Sequence, residues 1–140
     1  MSGRRTSCAG PRPDVADHPF QYAIVRVVPR VERGECLNAG VVLLCRPKRY
    51  LAALVGLDHA RLRALAPDVD PETIETHLAG IVRIARGDAD AGPIAQLSQG
   101  ERCHWLVAPA STVIQPSEVH TGLCDDPAVE LEHLFERLVR

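Results

Sequence analysis

Residues 22–45 read Y-A-I-V-R-V-V-P-R-V-E-R-G-E-C-L-N-A-G-V-V-L-L-C, and the fold turns on how this stretch is read. Ala23, Val25 and Val27 give one uninterrupted apolar face at period two, while Tyr22, Ile24, Arg26, Val28 and Arg30 form the other, which predicts a strand. Residues 37–45 are apolar on both parities after Asn38, the pattern of a central strand covered on both faces. Between the two runs, Glu32-Arg33-Gly34-Glu35 is of hairpin length, with Gly34 able to supply a positive φ. Gly40 inside the second run implies a bulge or a close backbone approach.

Working outward, Arg46-Pro47-Lys48-Arg49 reads as a turn and residues 50–55 as a third strand that completes a meander. Asp58 can cap a short helix carrying Leu62 and Leu65 and stopped at Pro67. Asp70-Pro71 and Asp126-Pro127 each place an acceptor at the N-cap and a proline at the first helical position. The helix after Asp70 carries the stripe Ile74, Leu78, Ile81, Val82, Ala85 and ends at Gly87; the one after Asp126 carries Leu131, Leu134, Phe135 and Leu138. One short helical turn is expected around residues 94–97, a fourth strand over 103–108, a fifth over 112–115 and an extended segment over 119–122. Strands first with helices grouped predicts α+β: an antiparallel or mixed sheet, an N-terminal three-strand meander plus two later strands, packed with three or four helices. Residues 1–17 lack periodicity and read as a disordered leader to a single domain at 18–140.

The chain has 140 residues, enough for one domain that buries roughly 68% of the surface its unfolded form exposes. A formal charge of −2 and only five aromatic residues argue against a nucleic-acid partner. Fifteen arginines and a single lysine, Lys48, make nearly all the cations planar forks suited to carboxylates or phosphates. Five cysteines without a C-x-x-C pair predict no disulfide framework and a reducing cytoplasm. No apolar run approaches eighteen residues, so neither a membrane span nor a signal peptide is expected.

Chemistry concentrates in two places. Arg26 sits between apolar neighbours, where a lone charge is costly; the structural reading pairs it with Glu32, Glu35 or a later carboxylate. The functional reading joins Arg26 and Arg30 as a guanidinium pair for an anion. Asn38 is suited to satisfying turn backbone groups. The second concentration, residues 102–126, holds His104, Ser111, Thr112, Gln115, Ser117, His120 and Thr121. A hydrolase would use Ser111 or Thr112 with His120, yet no G-x-S-x-G elbow is present. His120 and Cys124 with Cys103 and His104 could be set against zinc, but their spacing lacks paired ligands. In the plainer reading, Ser111, Thr112, Ser117 and Thr121 close turns around Pro109 and Pro116. The candidate cluster is therefore Arg26, Arg30, Glu32, Glu35, Asn38, His104, Ser111, Thr112, His120 and Thr121, with no cofactor and no metal expected.

Residues 22–45, then H-W-L-V-A-P-A-S-T-V-I-Q-P-S-E-V-H-T-G and L-C-D-D-P, resemble the bacterial domain of unknown function family 3037 (DUF3037) from about Phe20 onward. Cys36 and Ala39 depart from that pattern, which favours a bulkier residue and a valine there; both departures touch packing more than chemistry. The family carries no established activity. Its association with a HipA-like serine/threonine kinase implies a non-enzymatic interaction or regulatory module with a protein partner. The alternative is a small enzyme or anion-binding protein whose site joins the Arg26/Arg30/Glu35 hairpin to the Ser111–His120 segment.

Overall fold

A computed structural model describes residues 18–109 and 112–140; the leader expected over 1–17 lies outside the described residues. The alternating apolar run becomes β1 (His18–Val27), and the doubly apolar run becomes β2 (Leu37–Cys45). A 3-10 turn at Arg46–Lys48 leads into β3 (Tyr50–Val55). The helices α1 (His59–Leu65), α2 (Pro71–Arg86) and α3 (Gln99–Leu106) follow, then β4 (Ile114–Pro116), β5 (His120–Cys124) and α4 (Pro127–Leu138).

The expected α+β architecture holds, and every pairing is antiparallel. The order is β3-β2-β1-β4, with β5 also on β1. The outer edge of β1 is thus shared: β5 pairs with His18–Tyr22 and β4 with Val25–Val27. Ser117 spans the break between them. Its N–H donates to the Ile24 carbonyl (2.8 Å), and its hydroxyl accepts the Ile24 N–H (2.8 Å) and donates to the Glu118 carbonyl (2.8 Å). Ser117 is the one buried polar residue among the described residues. Ser117→Ala strands a buried N–H and is expected to cost about 1–2 kcal/mol, read as a lower urea midpoint with an unchanged m-value.

All of β2 is buried except Asn38, as its double apolarity predicts. Val25, Val27, Val42, Leu44, Leu51 and Ala53 face α1, α2 and α3 through Leu62, Ile74, Leu78 and Cys103. Phe20, Val41, Leu43 and Cys45 face α4 through Leu131, Leu134 and Phe135. Asp58, Asp70 and Asp126 each accept an N–H from the first turn they cap. Gly34 and Gly87 take positive φ, +72° and +76°. Gly40 lies at a register shift, where Val25 pairs with Gly40 and Arg26 with Asn38, leaving Ala39 as the extra residue of a bulge.

Two expectations are corrected. Residues 103–108 are not a strand; most of that run belongs to α3. Ser98 accepts the Glu101 N–H and Glu101 reaches back to Ser98, a capping box that starts a helix just upstream of the β-prone C-H-W-L-V-A run. The last two strands therefore come later, at β4 and β5, because Thr112 is spent in a turn and the extended segment after Val119 pairs with β1. Arg30 also leaves the face of Arg26, since β1 ends at Val27 and the chain turns with Arg33 and Gly34 donating to the Arg30 carbonyl.

Candidate functional site

Arg26 stands on the α4 side of the sheet, opposite Asn38 on β2 and Gln115 on β4. Asn38 donates its amide to the Leu138 carbonyl in the last turn of α4 (2.9 Å), and Gln115 donates to the Thr112 carbonyl (2.8 Å). The half-buried guanidinium has no carboxylate within 4.0 Å among the described residues, so the expected ion pair with Glu32 or Glu35 does not form. The side chain is half-buried, so part of it keeps its water, and Asn38 beside it ties the C-terminal end of α4 to this face.

The other candidates are dispersed. Arg30 binds Asp68 at 2.6 Å, tying the β1–β2 connection to the α1–α2 connection. Arg33 grips Glu35 with two bonds, 2.8 and 3.1 Å. That hydrogen bond and the arginine's charge hold the Glu35 carboxyl below its usual range and raise the guanidinium in turn. Glu32 is exposed beside them. The Thr112 hydroxyl donates to the Ile114 carbonyl (2.8 Å), a turn-closing bond. His120 rests its ring against Tyr22, centroids 5.2 Å apart, with Nε2 3.7 Å from Glu118. It shares the Arg26 face, yet lies opposite Tyr22, about 13 Å along β1 from Arg26. Thr121 is exposed on the reverse face, and Ser111 lies outside the described residues. The structure thus joins Arg26 and Asn38, adds Gln115, keeps Arg30, Glu32 and Glu35 together in the β1–β2 connection, and leaves Thr112, His120 and Thr121 apart from both groups.

The residues weighed for zinc also separate. Cys103 faces α2 in one core layer, whereas Cys124 is buried with Cys45 under α4 in the other. Among the described residues no three metal-ligating side chains gather, and no helix is long and apolar enough to cross a membrane.

A different concavity was not singled out by residue patterning. Arg46 from the 3-10 turn and Leu97, Glu101, His104, Trp105 and Ala108 from the α3 region line an open groove of about 670 Å³. Of the nine candidates among the described residues, only His104 lines it. Trp105, the single tryptophan of the chain, is 50% exposed here, and Leu97 is exposed beside it. The readable signal was the capping box: once Ser98-x-x-Glu101 starts a helix, Cys103 takes its buried side and Trp105 is left facing out.

In comparison with known proteins, the family described as Protein of unknown function (DUF3037) matches residues 22–139. No curated protein and no solved structure matches the chain. The matched span takes in β1 from Tyr22 onward, β2, the α3 groove and all of α4. The chain therefore belongs to the DUF3037 family.

Proposed function

We propose that this domain is a non-enzymatic binding module that docks a partner protein through the α3 groove, with Trp105 as the anchor. The observation that carries it is the half-exposed tryptophan in a concave site. Tryptophan is enriched in binding hot spots, because its large rigid ring gains contact area at little entropic cost. A helix face that exposes its one tryptophan loses that contact area to water unless something covers it. The HipA-like kinase implied by the family resemblance is the partner to test first. An anion or catalytic site at the hairpin would need Arg26, Arg30 and Glu35 around one point, and Arg30 and Glu35 are engaged elsewhere.

Co-expression of the tagged full chain with that kinase tests the reading. The wild-type chain is expected to retain the kinase through purification, and Trp105→Ala to lose it at least tenfold while melting at an unchanged temperature, since the side chain is half in solvent. A variant that retains the kinase as well as wild type removes Trp105 from the interface. If wild type retains nothing, the kinase is not the partner.

A further inference from the structure

Resting on the docking reading, we infer that the segment received by the α3 groove is acidic, with an apolar residue that seats on Trp105 and Leu97. One wall of the groove is Arg46, the first of three exposed cations in the turn Arg46-Pro47-Lys48-Arg49; Lys48 lines a separate concavity beside Asp125 and Asp126. None of the three has a carboxylate within 4.0 Å among the described residues. The acid that shares the groove does not pair with them. One Glu101 oxygen is held by the Ser98 N–H (3.2 Å) and hydroxyl (2.9 Å), which turns that oxygen toward the start of α3 while the carboxylate keeps its charge.

The positions of the cations are built in. Gln99 donates its amide to the Arg49 carbonyl (2.8 Å), pinning the turn against the first residue of α3. Arg46 lies directly over Gly100, where an added Cβ would meet its Nη1 at 2.9 Å; the missing side chain leaves room for the guanidinium at the groove floor. Arg49 adopts φ +51°, the one left-handed non-glycine residue among those described. It is the left-handed C-cap of the 3-10 turn, a position that glycine or asparagine fills with less strain. Planar forks above an apolar floor suit carboxylates flanking an apolar side chain, and fit them better than a basic segment.

Because Trp105 is the only tryptophan, its emission reports occupancy of the groove directly. The full chain would be titrated with an alternating glutamate–leucine peptide, its lysine–leucine counterpart, and oligothymidylate as a polyanion that offers stacking bases in place of an aliphatic anchor. The expected result is a saturable blue shift with the glutamate peptide only, weakened by added salt. Arg46→Glu combined with Arg49→Glu should weaken that binding at least tenfold without altering the spectrum of the free protein. Equal binding of the lysine peptide, a response to oligothymidylate alone, or wild-type affinity in the charge-reversed variant would each overturn the inference. Retention of the kinase separates the two readings. Loss in both Trp105→Ala and the charge-reversed variant supports an acidic segment. Loss in Trp105→Ala alone keeps the docking surface and overturns its acidic occupant.

Discussion

Gly40→Val is expected to cost the domain about 3 kcal/mol and to lower its urea midpoint accordingly. A Cβ at Gly40 would lie 2.8 Å from the Leu54 carbonyl oxygen, 2.9 Å from Val55 Cγ1 and 3.4 Å from Val25 Cβ. The first of these contacts is with backbone, which cannot rotate away as a side-chain tip can. Gly40 pairs with Val25 on one side and Val55 on the other, so neither neighbouring strand can withdraw without opening a ladder at the centre of the sheet. The extra residue of the bulge, Ala39, is buried and accepts the Gly56 N–H at 2.8 Å, which closes the remaining route for relaxation. Gly34→Ala is the contrasting case: nothing lies within 4 Å there, and its difficulty is only the positive φ. A Gly40→Val protein as stable as wild type would mean that the bulge can slide.

The same position shows what local sequence carries and what it does not. A glycine inside an unbroken apolar run announces a bulge or a close approach, and the molecule has both. Asp-Pro at the starts of α2 and α4 announces helices because cap and first turn are chemical neighbours in the chain. The start of α3 was equally local, at Ser98 and Glu101, but the β-branched and aromatic character just downstream spoke for a strand, and the cap prevailed. Side-chain partnerships were out of reach for a different reason. Arg30 finds Asp68, and Arg26 comes to lie beside Gln115, only after the sheet and helices have assembled. No spacing rule reaches across such separations. The groove is of this second kind, since its turn and its helix lie about fifty residues apart.

Above pH 9 the domain is expected to lose about 1 kcal/mol per pH unit through the buried thiol of Cys124, which lies beside Cys45. Cys124 is 2% exposed under α4, and burial, with Cys45 beside it and the Asp126 and Glu130 charges nearby, pushes its pKa from 9.0 up to about 12. The core accepts the neutral thiol and not the thiolate. Below pH 9 both folded and unfolded chains keep the proton, so the stabilisation is complete. Between 9 and 12 the unfolded chain releases it while the folded chain holds it, and each further unit favours unfolding. By pH 10.5 the loss should reach about 1.5 kcal/mol. Burial also raises Tyr50 and Cys103, so some alkaline loss persists without Cys124. The discriminating quantity is therefore the slope of stability against pH, from urea midpoints at pH 8 and 10.5, in wild type and Cys124→Ala. A shallower slope in the variant, whatever its absolute stability, assigns the effect to this thiol. Equal slopes would mean that Cys124 reaches solvent before it ionises. A thiol held neutral in this way is also a poor nucleophile, which makes Cys124 part of the packing beneath α4.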